Sequence, residues 1–379
     1  MNPSVVTTTS ELAALAQRWR NEARLAFDTE AASFHRYVDR VYLIQASSDQ
    51  ATTIIDPLAV QDLAPVGELL ADPHVQVVFH DADYDLRSLD RDYGFRARNI
   101  FDTRIAAQLL GEPGIGLGAL LLKYFGVTLN KKMQRADWSV RPLTAEMIEY
   151  AAADTSHLTR LRDILEQELQ RAGRLDWAQE EFARLESVRW TGTEASPDDY
   201  ADLKGANLLH GPSRNVLRAV YLWREQQASR MDRAPFRVLT NETMLGLART
   251  APGDLASLKQ LPGMSGFIGE RYGQELIELI RAALAAPVVP PERRNRARRV
   301  RNDPETEARL ERLKQLRNDR ARDLGLEPGV LAANAALETL ARSTGQLQEE
   351  GPVLRNWQRR ALGETAIGQA MAGPVGQHQ

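Results

Sequence analysis

Three β-rich runs, ARLAFDTEA, RVYLIQAS and ATTIIDP, follow one another between residues 23 and 57 with no helical pattern between them. Each is short and rich in β-branched or aromatic residues, so they are expected to be consecutive strands of one sheet. LAVQDLAPVGELLAD then has helical spacing, and VQVVFH reads as a fourth strand. DYDLRSLDRDYG, FDTRIAAQLLG and LGALLLKYFG are expected helices, stopped at Gly94, Gly111 and Gly126. A long helical stretch is predicted from the N-cap candidate Thr144 to about Arg171. Strands clustered early with helices around them make residues 1–195 an α/β domain.

The remainder has almost no β pattern. SRNVLRAVYLWREQQASRMD has helical spacing, and TNETMLGLARTAP, DLASLKQLPG and FIGERYGQELIELIRAAL are shorter helices broken by Pro and Gly. Together they predict an all-α domain over residues 208–287. Residues 288–303 change character, with six arginines between Arg293 and Arg301. This linker suits RNA phosphates and a solvated spacer equally. A second all-α domain is expected over 304–372, and 373–379 is expected to be a disordered tail. Both helical blocks run long charged helix, Pro/Gly turn, shorter helices, which is a weak internal repeat.

Composition narrows the chemistry. The chain has no cysteine, which excludes disulfides, thiolate zinc sites and a thiol nucleophile, and fits a cytoplasmic protein. Its first residues lack the apolar core of a signal peptide, and no stretch approaches the ~20 apolar residues of a membrane span. No membrane or obligate protein partner is expected. A net charge of −3 means that any nucleic-acid binding must rest on local patches.

Asp28 and Glu30 close the first strand one residue apart, and alternation puts both on one face. Two such carboxylates repel unless they share a proton or a cation sits between them. HDADYDL adds Asp81, Asp83 and Asp85, FDT adds Asp102, and EYAAAD puts Tyr150 and Asp154 one helical turn apart. Carboxylates without cysteine suit Mg²⁺ or Mn²⁺. A pair of such ions about 3.5–4 Å apart clamps the attacking and leaving oxygens of a phosphodiester. Asp81, Asp83 and Asp102 are read as helix caps, and His80 as structural. Trp138 suits base stacking or loop packing, and Trp223 and Tyr272 read as core.

FDTE, HDADYDL and EYAAADTSHL, in this order and spacing, resemble the motifs of the DEDD exonuclease superfamily, in its subgroup with a tyrosine in the last motif. MQRADWSVRPLTAEMIEYAAADTSHL is similar to the ribonuclease D group within it. LKQLPGMSGFIGERYGQELIELI resembles the end of an HRDC domain, and LAANAALETLARSTG carries a weaker likeness to one. The resemblance implies a ribonuclease H-like mixed α/β sheet with flanking helices, followed by two all-α HRDC-like domains. It implies two divalent ions, Mg²⁺ or Mn²⁺, held by Asp28, Glu30, Asp85 and Asp154, with Asp28 as the bridge. Tyr150 would orient the attacking water. The implied reaction is 3'-to-5' hydrolysis of RNA with a free 3' end, tRNA precursors included, releasing nucleoside 5'-monophosphates. Gln45 borders the site in that fold and is a candidate for touching the terminal nucleotide. Lys131, Lys132 and Arg135, with Trp138, are candidates for meeting the strand on its way in. The helical domains would dock structured RNA, so removing residues 289–379 is expected to weaken its binding more than hydrolysis of a short oligonucleotide. Two other readings stand beside this one. The first is a repair exonuclease acting on single-stranded DNA. The second is a catalytically silent nucleic-acid-binding module, which would need a broken acidic set.

Overall fold

The structure is a computed structural model that describes residues 3–130, 132–192, 196–288, 290, 302–343 and 353–372. Lys131, the arginine run from Arg293 to Arg301 and the tail 373–379 lie outside the described residues. The α/β part runs β1 (Ser4–Val6), α1 (Thr9–Trp19), β2 (Arg24–Ala31), β3 (Val41–Ser47), β4 (Thr52–Ile55), α2 (Ala64–Ala71), β5 (Gln76–Phe79), α3 (Asp83–Tyr93) and β6 (Ile100–Asp102). It continues with α4 (Thr103–Leu110), α5 (Leu117–Phe125), α6 (Ala145–Thr155), α7 (Leu158–Arg171) and α8 (Leu175–Leu185).

The strands form one mixed sheet in the order β1-β4-β3-β2-β5-β6. β3 runs antiparallel to β2 and β4, and the other pairings are parallel. One face, with Leu25 and Phe27, packs on α1, α2 and α3. The opposite face, with Ala26 and Val78, meets α4, α5, α7 and α8. Near its end the same face meets α6 over Leu43 and Ile54. The four read strands are present. The end strands β1 and β6, three residues each, and α1 were not read. The long predicted helix is two: Thr144 caps α6 by accepting from the Met147 N–H, and the chain turns at Ser156–His157 before α7. That turn leaves Asp154 in the last turn of α6, facing the end of β2.

The helical part comprises α9 (Pro212–Met231), α10 (Pro235–Val238), α11 (Asn241–Thr250), α12 (Leu255–Lys259), α13 (Gly266–Arg271) and α14 (Gly273–Ala285). It then has α15 (Pro304–Leu324), α16 (Pro328–Leu331), α17 (Asn334–Arg342), α18 (Asn356–Leu362) and α19 (Glu364–Ala372). Helices α9 to α11 have 20, 4 and 10 residues, and α15 to α17 have 21, 4 and 9. The likeness extends to side chains. Buried Arg224 of α9 donates to the amide oxygen of Asn241, the first residue of α11, at 2.8 Å. Buried Arg317 of α15 donates to that of Asn334, the first residue of α17, at 2.7 Å. Trp223 is core, as read: it is buried, edge-on to Tyr272, and donates to Glu275.

The two blocks attach differently. The first meets the sheet domain at a mixed seam, where the Ala234 N–H donates to the His35 carbonyl, Arg36 ion-pairs with both Asp137 and Asp232, Phe34 lies edge-on to Phe236 and Tyr37 packs against the helical core. The second shares an apolar core with α4, α5, α7 and α8, in which Trp357 stacks on Trp177 at 5.0 Å. At Gly111, which ends α4 with φ 76°, an added Cβ would strike the Gly325 carbonyl at the end of α15. Among the described residues no helix is long and apolar enough to cross a membrane.

Candidate metal site

β2 carries Asp28 and Glu30 out of the sheet on the face toward α6. Pairing with β3 shifts register between Glu30 and Ala31, a bulge at the end of the strand of a kind often found beside functional sites. Above it, the small residues Ala151 and Ala152 let α6 lie close to the sheet. Carboxylate oxygens of Asp28, Glu30 and Asp154 lie within 4.8 Å of one another, all three side chains partly buried.

Like charges this close favour protonation. Burial, followed by the charges of Asp85, Glu30 and Asp154, pushes the Asp28 carboxyl far above its usual range. Burial, then Asp154 and Asp85, does the same to Glu30. Burial pushes Asp154 up to about 7, against the Tyr150 hydrogen bond, which acts the other way. Tyr150 is raised in turn by burial and by the neighbouring carboxylates, so it is a neutral phenol beside Asp154.

Asp85 stands outside this trio. It is buried in the first turn of α3 and accepts from the Thr29 N–H at 3.1 Å and the Thr29 hydroxyl at 2.5 Å. Burial leads its shift, to about 7, with the Thr29 bonds opposing. Thr29 was not singled out from sequence. Its signal was its position between two acids, which turns it to the other face of β2. Asp102 caps α4 as read, accepting from Arg104 and Ile105 N–H groups, and it also accepts from Ala82 at the head of α3. Asp81 and Asp83 do not cap α3, whose cap position is Ala82. Asp81 takes a left-handed backbone and pairs with Arg104, while Asp83 lies inside the first turn and pairs with Arg87. His80 is held within the fold. Thr103 donates to the Phe79 carbonyl, so the His80 ring donates to Thr103, and burial lowers its pKa to about 4.

The loop before α6 is pinned by Arg141, which bridges both oxygens of Asp56 and the Tyr42 carbonyl. It presents Lys132 and Arg135 to solvent, with Arg135 5.3 Å over the exposed ring of Phe34. Trp138 is 1% exposed and packs 5.9 Å from Tyr150, so it is part of the wall behind the phenol and offers no face to a base. Gln45 is 0% exposed, which overturns the expectation that it touches a nucleotide.

Hard oxygen donors crowded at like charge suit a divalent cation, which removes the repulsion. Carboxyls with raised folded-state pKa bind more protons folded than unfolded between about pH 4 and 7. The metal-free protein therefore loses stability as pH rises through that window, and a cation that displaces the protons restores it. The increase in Tm given by Mn²⁺ over EDTA is expected to be larger at pH 8 than at pH 5. An equal increase at both pH values would contradict the site.

The chain is similar to known proteins over most of its length. The family model for 3'-5' exonuclease matches residues 3–170, and that for the HRDC domain matches 213–280. Ribonuclease D of Gluconacetobacter diazotrophicus is 31% identical over 97% of this chain and 92% of its own length. That of Escherichia coli is 32% identical over 76% of each chain. The crystal structure of Escherichia coli RNase D, described as an exoribonuclease involved in structured RNA processing, superimposes with TM-score 0.68 over 97% of this chain and 98% of its own, at 27% identity. The catalytic core of RRP6 from Trypanosoma brucei does so with TM-score 0.65 over 74% and 79%, at 31% identity. Motifs, sheet order and relatives spanning nearly the whole chain lead to one conclusion: this chain belongs to the ribonuclease D family.

Proposed function

We propose that this chain hydrolyses RNA from a free 3' end, one nucleoside 5'-monophosphate at a time, at the site formed by Asp28, Glu30, Asp85 and Asp154. The observation that carries the reading is the convergence of three carboxylates beside a neutral phenol at the end of β2. The proposed ligands of two divalent ions, Mg²⁺ or Mn²⁺, are Asp28 shared between both, Glu30 and Asp154 on one, and Asp85 supporting the other. Bound there, the ions would supply charge for the scissile phosphate and a lowered pKa for water. Tyr150, beside Asp154 and backed by Trp138, holds the attacking water by its hydroxyl. Thr29 keeps Asp85 turned toward the strand end. Lys132 and Arg135 meet the incoming phosphates, and binding there weakens with salt.

We assign residues 1–195 to the nuclease, 208–287 to one HRDC domain and 304–372 to a second. The matching Arg–Asn pairs of α9/α11 and α15/α17 support the duplication. Stable RNAs with 3' trailers, tRNA precursors among them, are the proposed natural substrates.

Matched RNA and DNA oligonucleotides, each with a free or blocked 3' end, test the reading in Mg²⁺, Mn²⁺ and EDTA. Metal-dependent release of 5'-monophosphates from free RNA ends alone is expected. Preference for DNA would move the substrate class, and binding without cleavage would sink the enzyme reading. Tyr150→Phe removes one hydroxyl and leaves the ring packed on Trp138. It is expected to lower kcat about 10- to 100-fold with KM nearly unchanged. A kcat equal to wild type would make Tyr150 a packing residue.

A further inference from the structure

Gln45 is fully buried, and neither its amide nitrogen nor its carbonyl oxygen has a hydrogen-bond partner among the described residues. Stranding both atoms costs stability, and Met or Leu would fill the same space without that cost. Register shows what the amide stands beside. In the antiparallel β2–β3 pair, Gln45 lies directly opposite Asp28. Directly opposed side chains leave the sheet on the same face, with Cβ atoms ~4.5–5.5 Å apart. The other neighbours on that face have little to offer. Ser47 is already bonded to Thr52 and Thr155. Leu43 on β3 and Ile54 on β4 are apolar, and Ala151 and Ala152 of α6 close the space above.

We propose that Gln45 is a positioning residue for Asp28, its amide N–H donating to the Asp28 carboxylate, directly or through one water, when that carboxylate binds a cation. The proposal rests on the metal-site reading above. A carboxylate shared between two ions must keep one orientation, and a fixed donor behind it sets that orientation and favours the charged form. Gln45 thus acts beneath the site rather than on the substrate. The unsatisfied amide is a stability loss of the metal-free state that metal binding recovers.

The test uses the full chain, with Gln45→Met and Gln45→Leu. Mn²⁺ affinity is measured by calorimetry and Tm is measured in EDTA. Both variants are expected to bind Mn²⁺ at least 10-fold more weakly, within the 10- to 100-fold range of partners that orient metal ligands. Their metal-free Tm is expected to equal or exceed that of wild type. Ile54→Val, on the neighbouring strand, is expected to lower Tm and leave Mn²⁺ affinity unchanged. Mn²⁺ affinity within 2-fold of wild type in both Gln45 variants would overturn the proposal. So would an equal loss of affinity in Ile54→Val, because general loosening of the sheet would then explain it. Wild type that binds no Mn²⁺ would instead overturn the metal site itself.

Discussion

Asp154→Asn is expected to reduce kcat for RNA hydrolysis by about 10³-fold or more while raising the Tm of the metal-free protein. The two effects share one cause. Asparagine keeps the shape of aspartate and removes its charge, so it takes one negative group out of a cluster whose members lie within 4.8 Å. In EDTA that relieves repulsion, because burial and mutual charge already disfavour ionisation there. With Mg²⁺ or Mn²⁺ the same change removes a ligand, and the transition state loses roughly 4 kcal/mol or more of charge stabilisation, about 10³ in rate. Asp28→Asn is expected to behave likewise with a larger loss, since Asp28 is proposed to serve both ions. Single-turnover cleavage of a 5'-labelled RNA, paired with thermal unfolding in EDTA, measures both effects. Hydrolysis at the wild-type rate would remove the residue from the metal site. A large fall in metal-free Tm would mean that the carboxylate holds the fold together.

The site was legible because its parts are short, local patterns. DTE at a strand end fixes two carboxylates on one face by alternation, and YxxxD fixes phenol and carboxylate one turn apart. What brought them together was the fold, and most of it could be read from β-rich runs and glycine stops. The misses have physical reasons. β1 and β6 have three residues each, too few for a period to emerge. The break between α6 and α7 carries no Pro or Gly, only Ser156 and His157, so helical spacing runs on through it. Asp81 and Asp83 have the right chemistry for a cap. The cap went elsewhere because Asp102, adjacent through the β5–β6 pairing, reaches the N–H groups at the head of α3. Trp138 suited base stacking and loop packing alike, and Gln45 was read as a nucleotide contact because the resemblance placed it near a substrate. Their burial puts them one layer behind it.

Removing residues 302–379 is expected to destabilise the nuclease itself, with loss of soluble protein or a Tm more than 10 °C lower, rather than to leave a fully active core. This differs from the sequence-based expectation of a detachable RNA-docking block. The reason lies in α8. Trp177 on that helix stacks on the fully buried Trp357, whose indole N–H donates to Glu181 at 2.6 Å. Glu180 accepts the backbone N–H groups of Asn356 and Trp357 at 2.7 and 2.9 Å, serving as the anionic partner at the head of α18. Arg174 donates to both the Leu109 and Leu324 carbonyls, tying the ends of α4 and α15 together. Leu310, Leu313, Leu331 and Leu337 belong to the same apolar core as Phe101, Leu161 and Phe182 of the nuclease. Truncation therefore opens one continuous core. Trp357→Ala isolates the contact in the full chain and is expected to cost about 3–5 kcal/mol. Thermal unfolding and dye binding to exposed apolar surface measure both proteins. A truncated chain with wild-type Tm and full activity on a short oligonucleotide would show that the second helical block folds as an independent unit. A destabilised one would mean that any loss of structured-RNA binding on truncation reports on the nuclease as much as on the block removed. Point changes on the exposed face of α15 would then be the way to separate the two.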